Sequence, residues 1–432
     1  MVSKRTRFPL VPFDMKIAVV GCSHGKLDDI YAAVNDYQLQ HATKIDLLLL
    51  CGDVQAVRNQ FDLESLACPP KYRHLGDFHE YYSGVKQVPV LTLFIGGNHE
   101  AMSHCRELYY GGWVCPNMYF MGYAGVLRFR GLRLSGLSGI YKRYHYHWGH
   151  VEQSPFTDES LRSAYHVRSF DVQRLQSVQG PLDVVMSHDW PKGIEKDGDL
   201  QALLRMKPYF REDVEKGVLG SVPARLLLDQ WMPRYWLSGH MHVRYQAIRR
   251  KSEKETRFLA LDKCLPRRSF LDVIDVEPME APEHPGEAAA EGDVGLEYDE
   301  EWLAIVKATA SLMPFNQQGL GRHLKEAMKD LPERIAEARY WIQNHLGSNL
   351  KVPCNFGWTA PVQSAFMTDA DRLATRKSCL VSELNADLFV VSPASHHPQT
   401  VAFCQMLDIP LPFPSAPVAV KNPDEIVIED SD

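Results

Sequence analysis

Cys22 and His24 stand two residues apart in Gly21-Cys22-Ser23-His24-Gly25, directly after the apolar run Lys16–Val20. A thiol and an imidazole at that spacing can grip one metal ion. The pair alone is weak, because a free cysteine is often just a small buried hydrophobe. Later stretches repeat the arrangement. Ile45–Leu50 ends in Cys51-Gly52-Asp53, and Val90–Ile95 ends in Gly96-Gly97-Asn98-His99-Glu100. Leu182–Met186 ends in Ser187-His188-Asp189, and Tyr235–Leu237 ends in Ser238-Gly239-His240-Met241-His242. The candidate ligands are therefore Cys22, His24, Asp53, Asn98, His188, His240 and His242. They are too many for one tetrahedral zinc and suit two ions that share the two oxygens of Asp53. Imidazole, amide and thiolate donors favour zinc, iron or manganese over calcium. Two such ions about 4 Å apart can activate water and clamp a phosphoryl group during in-line displacement.

Each position also has an ordinary reading. Asp53 can cap a helix, Asn98 can sit in a turn, and His188 can be a satisfied core histidine. Glycines at 21, 25, 52, 97 and 239 flank most of them. Glycine lets a chain turn sharply, so that side chains from different strands converge. One shared cause explains the set better than separate accidents.

The elements that position these residues are short apolar runs, read as strands covered on both faces. In α/β proteins, ligands collect beyond the carboxyl ends of such strands. A helix is expected over Asp28–Leu39, and further strands over Phe258–Asp262 and Phe270–Val276. Residues 277–297 hold seven acidic residues, three prolines and no lysine or arginine. They read as a disordered acidic linker. Helices follow at Asp299–Lys307 and Leu324–Leu346, the second split by Pro332. Residues 415–432 read as an acidic tail.

The chain has 432 residues, 45% hydrophobic and 23% charged, with a net charge of -7. That balance argues against a generally basic nucleic-acid binder but leaves room for a local basic groove. Nine cysteines without a CxxC pair argue against a disulfide scaffold or a zinc ribbon. No apolar run reaches membrane-spanning length. The expectation is a soluble intracellular protein with no membrane partner.

The segments Gly52–Gln55 (GDVQ), Gly96–Glu100 (GGNHE), Ser187–Trp190 (SHDW) and Gly239–His242 (GHMH) resemble those of the calcineurin-like metallophosphoesterases. That superfamily usually opens with Asp-x-His, where this chain has Cys22-Ser23-His24. In this, and in GDVQAVRN, PPKYRH, VLTLFIGGNHE, YGGWVCPN, SHDWP, FLALDKCLP and HPQTVAFC, it is similar to the RNA lariat debranching enzymes. The resemblance runs from about Met15 to about Pro414. It implies an α/β fold, a metallophosphoesterase-type two-sheet β-sandwich flanked by helices, with a smaller, mainly helical C-terminal region. The domains would be 15–276 (catalytic), 277–297 (linker), 298–414 (C-terminal) and 415–432 (tail). One divalent ion (Fe2+, Zn2+ or Mn2+) would be held by Cys22, His24, Asp53 and His242. The other would be held by Asp53, Asn98, His188 and His240. His99 would be catalytic, stabilising the transition state or protonating the leaving oxygen. Asp189 would orient a neighbouring histidine.

Tyr141–Phe170 interleaves Lys142, Arg143, Arg162 and Arg168 with Tyr141, Tyr144, Tyr146, Trp148 and Tyr165. Cations meet phosphates and rings stack on unpaired bases. The stretch resembles the family's lariat recognition loop. Tyr72 and Arg58 offer similar chemistry near the Asp53 turn, although Arg58 can equally make an ion pair. The substrate implied is branched intron RNA, cleaved at its 2′–5′ bond by a monomeric nuclear enzyme that meets spliceosome-associated proteins only transiently. The alternatives are a general metallophosphoesterase and an RNA-binding scaffold with a degenerate site.

Overall fold

The computed structural model describes residues 15–279, 294–317, 326, 328–363 and 396–413. Six strands form one sheet and seven another. In chain order they are β1 (Met15–Val20), β2 (Leu47–Leu50), β3 (Thr92–Phe94), β4 (Gly112–Cys115), β5 (Met118–Phe120), β6 (Ala124–Phe129) and β7 (Leu132–Leu137). Then come β8 (Val184–Ser187), β9 (Tyr235–Ser238), β10 (Tyr245–Lys251), β11 (Lys254–Ala260), β12 (Leu271–Val276) and β13 (Leu296–Tyr298). The first sheet runs β12-β1-β2-β3-β5-β4, and the second β10-β11-β9-β8-β7-β6-β13.

Each sheet has a parallel centre. In the first, β1, β2, β3 and β5 run parallel; in the second, β7, β8, β9 and β11 do. Parallel neighbours need crossover connections, and these cover the outer faces. Leu27–His41 crosses from β1 to β2, and Val222–Trp231 joins β8 to β9. Alternation then sorts the side chains. Ile17, Val19, Leu47 and Leu49 pack inward with Leu134, Val184, Met186 and Leu237 of the facing sheet. Ala18, Val20, Leu48 and Leu50 pack outward with Leu27, Ile30 and Val34 of the crossover helix.

Several details differ from the sequence reading. Leu296 and Glu297 are not linker: they belong to β13, which pairs with β6, and Leu296 is buried. The linker's centre, 280–293, and the tail lie outside the described residues, as do 364–395. The expected boundary at 298 falls within β13, because the C-terminal region is built into the sandwich. Val352 joins the inter-sheet core, and the Gln399 side chain bonds both Trp113 N and Trp113 O at 2.8 Å. Pro332 falls where the expected helix is interrupted: residue 326 is helical, 328–330 form a turn, and a helix begins at Leu331. It stands in the first turn of Leu331–His345, where its missing N–H removes no helical bond. The strand expected over Phe258–Asp262 overlaps the end of β11; the reading missed its hairpin partner β10, whose solvent face is polar, and β4 to β7. No helix among the described residues is long and apolar enough to cross a membrane.

Candidate metal centre

The turns after β1, β2 and β9 bring one donor atom each from Cys22, His24, Asp53 and His242 within 4.8 Å of one another. His24 Nε2 lies 3.1 Å from His242 Nε2 and 3.6 Å from Asp53 Oδ2. The other Asp53 oxygen faces the opposite way, with Oδ1 3.4 Å from His188 Nε2. The His188 and His240 rings lie 5.0 Å apart, centroid to centroid. Asp53 thus presents one oxygen to each group of histidines, as a bridging carboxylate must.

Among the described residues, four side-chain atoms of the ligand turns are buried without a hydrogen-bond partner: Ser23 Oγ, Asn98 Oδ1, His188 Nε2 and Asp189 Oδ1. This costs about 1–3 kcal/mol for a group kept from water. His188 Nδ1 lies 2.6 Å from Cys51 O. A carbonyl only accepts, so Nδ1 carries a proton, and in the neutral ring it is Nε2 that turns its lone pair toward Asp53. Orphaned oxygen and nitrogen lone pairs beside a carboxylate and a thiol are the donor set of a divalent cation. The residues fit a divalent metal centre.

The backbone is strained where the ligands sit. His24, Asp53, His240 and His242 have φ of 48°, 52°, 62° and 49°, in the left-handed region that non-glycine residues rarely occupy. Two glycines allow the close approach. A Cβ on Gly52 would fall 2.3 Å from His188 Nδ1, and one on Gly97 would fall 2.2 Å from Asp53 Oδ1. Glu100 holds the turns together. Its buried carboxylate accepts from Val54 N and Gln55 N at 2.8 Å and from Gly97 N at 3.1 Å. Sequence reasoning passed over Glu100, although a carboxylate one residue beyond Asn98-His99 was a signal.

Burial, reinforced by the Asp53 charge, pushes the Cys22 thiol well up; a bound cation opposes both effects and favours the thiolate. Burial also lowers His24, His240 (to about 3) and His242 (to about 4), keeping them in the neutral form that ligates metals. For Asp53, burial acts upward, but the His188, His24 and His99 imidazoles outweigh it and hold the carboxyl well below the usual range.

His99 is half-buried beside this cluster. Its backbone N–H donates to Asp53 Oδ1 at 2.8 Å, and its ring centroid is 5.5 Å from that of His24. Asp189 is buried against His188 and accepts the backbone N–H of Tyr141, so it anchors the stretch that begins there as well as facing a histidine. That stretch is pinned further. Ser169 N donates to Tyr146 O at 2.6 Å and Gly149 N to Asn316 O at 2.8 Å. His145 and His166 share a 2.7 Å Nδ1–Nδ1 contact. Lys142, Arg143, Tyr144 and Arg162 remain exposed, and Tyr141, Trp148 and Tyr165 are half-buried. The Tyr165 hydroxyl, raised mainly by burial, feels both Arg162 and Asp53.

Two arginines are not where the sequence put them. Arg168 is wholly buried, paired with Glu152 and donating to His145 O; it braces the loop rather than meeting phosphate. Arg58 is 3% exposed and committed to Asp62, Glu107 and Thr359, so it is not a free phosphate ligand. Arg58→Ala strands Asp62 in the interior. Breaking such a buried pair costs about 3–5 kcal/mol, and the lower end is expected because Glu107 is partly exposed. Urea unfolding at neutral pH checks this. Burial acts to raise Asp62, but Arg58 wins and holds it at about 2 against an ordinary 3.8. Its contribution is therefore full above about pH 4 and is lost as pH falls through about 2.

Strand ends of two facing sheets that deliver a shared aspartate, an asparagine, histidines and a cysteine define a metal-dependent phosphoesterase. The calcineurin-like phosphoesterase family model matches residues 15–244, and the model of the lariat debranching enzyme C-terminal domain matches 253–412. The chain belongs to the lariat debranching enzyme family. It is 40% identical to the Arabidopsis thaliana enzyme over 95% of this chain and 90% of that one. It is 49% identical to the Gallus gallus enzyme over 80% of this chain and 64% of the relative, and 42% identical to the Homo sapiens enzyme over 91% and 69%.

Proposed function

We propose that this chain hydrolyses the 2′–5′ phosphodiester at the branch of excised intron RNA, releasing a linear intron. The observation that carries the reading is the aromatic and basic loop fixed beside the metal centre. A small phosphate ester needs no such platform. Splicing generates the substrate, so the enzyme acts in the nucleus, as a monomer that meets spliceosome-associated proteins transiently.

Cys22, His24, Asp53 and His242 would hold one divalent ion, and Asp53, Asn98, His188 and His240 the other. Such a pair supplies Lewis acidity, polarising the phosphate and activating water; the thiolate favours zinc or ferrous iron at the first position over manganese. Glu100 and the glycine turns fix the ligands before substrate arrives. His99 faces the same centre and donates a proton or a hydrogen bond to the departing 2′ oxygen. Arg143, Arg162 and Lys142 meet phosphates, while Tyr144, Trp148 and Tyr165 stack on splayed bases, with Tyr72 and Tyr141 at the rim. Discrimination against the neighbouring 3′–5′ bond comes from positioning of the branch, since the chemistry of the two bonds is the same.

Cleavage of a branched RNA measured beside p-nitrophenyl phosphate tests the reading. A chain that hydrolyses the aryl ester but leaves branched RNA intact is a general phosphoesterase. Within the reading, combining Arg143→Ala, Arg162→Ala and Trp148→Ala should depress kcat/KM on branched RNA by about 100-fold, using about 1–3 kcal/mol per lost stacked base. The loss on a small aryl diester should be much smaller. Equal losses would make the loop a support of the metal site.

A further inference from the structure

The strands β7, β8, β9 and β11 lie side by side and parallel, so their carboxyl ends share one edge of the sheet. The two inner strands, β8 and β9, lead into His188 and into His240 and His242. The two outer strands lead into loops. The loop after β7 is the Tyr141–Phe170 platform. The loop after β11 reads Lys263-Cys264-Leu265-Pro266-Arg267-Arg268. It therefore flanks the metal centre on the side away from that platform, and it is basic in a chain whose net charge is -7.

Its first residue is tied to the centre. Lys263 forms a parallel β-bridge with Cys22, and Cys264 N donates to Cys22 O at 2.9 Å. Bridged residues project to the same face of a sheet, so the half-buried Lys263 side chain lies on the Cys22 side chain's face. Its charge is felt at both His24 and His242, adding to the effect of their burial. Arg268 is paired with Asp262 at 3.2 Å. Among the described residues, no carboxylate pairs with Lys263 or Arg267, so two cations stand uncommitted where a polyanion reaches the centre.

We propose that Lys263–Arg268 is a second RNA-binding element, with Lys263 holding the non-scissile phosphate at the branch and Arg267 the backbone of the same arm. A branch nucleotide joins three arms, and one platform on one side of the centre cannot track them all. The element makes the branch a two-sided fit: rings and cations hold one side and a short basic loop the other. This rests on the branched-RNA reading of the site.

The test is the salt dependence of kcat/KM on a three-arm branched RNA, with metal content measured in the same preparations. Each phosphate contact to single strands contributes about 0.7 to the slope of log kcat/KM against log salt. The full-length Lys263→Ala/Arg267→Ala chain should lose about tenfold in kcat/KM at moderate salt, mostly through KM, and its slope should fall by about 1.4. Lys263→Arg/Arg267→Lys should keep the parent slope, which controls for folding. Lys216→Ala, a surface lysine just after the helix Arg211–Glu215 and paired with Glu212, should behave as the parent. A branched RNA lacking one arm should remove the difference between parent and double variant. An unchanged slope, or a loss confined to kcat with metal released, overturns the proposal. If the parent chain itself fails to cleave branched RNA, the functional reading fails instead, and the two failures are distinct.

Discussion

Replacing His99 by alanine should slow branched-RNA cleavage by about 10²–10⁴-fold while both ions stay bound. The reason is its position. The backbone of His99 is part of the Asp53 turn, through the 2.8 Å bond from its N–H to Oδ1, and alanine keeps that bond. Only the ring is lost, and the ring belongs to neither ligand group. Single-turnover rates at saturating metal, with metal content by mass spectrometry, separate the outcomes. A variant that turns over near the parent rate ends the catalytic role. A variant that loses metal along with activity makes His99 a support of the ligand turns instead.

The second large effect is expected at Cys22, where the chain departs from the Asp-x-His opening of its superfamily. Its sulfur lies in the four-donor cluster and also accepts the His240 N–H at 3.0 Å, so it touches both groups of ligands. Cys22→Ala should lower bound metal from about two equivalents to about one. The ion near Asn98, His188 and His240 should remain, because none of those side chains is altered. Cys22→Asp should restore a second ion but shift preference toward manganese, since an oxygen donor is harder than a thiolate. Titration with zinc, iron and manganese, followed by stoichiometry and activity in the same samples, reads both variants. If the alanine chain binds two equivalents with the parent's metal preference, Cys22 is not a ligand.

The ligand turns were legible because their signal is local. An apolar run, then a glycine, then a donor side chain describes a strand end within a few residues. The Gly52-Asp53 and Gly97-Asn98 turns carry their own conformational requirement in the glycine. The interleaving of cations and rings over Tyr141–Phe170 was legible in the same way, within one stretch. Pro332 was legible as a break because proline suits a helix start and not a helix interior, and a turn at 328–330 precedes it.

Burial and pairing were not legible. Arg58 and Arg143 are the same residue type in similarly mixed surroundings. Arg58 is enclosed because Glu107 and Thr359, 49 and 301 residues away along the chain, close over it, while Arg143 stays exposed. Leu296 and Glu297 looked like the end of an acidic linker until β6 supplied an edge to pair with. Lys263 gave no sign of its place beside Cys22, because that place is set by a bridge between residues at opposite ends of the catalytic region. Sequence by itself determined which residues could ligate metal and where the chain must turn to present them, since backbone preference and donor chemistry belong to the residue and its immediate neighbours. Only the tertiary structure decided which charges are spent inside and which stay exposed. A charge is stabilised by whatever the fold brings against it, and those partners are distant in sequence.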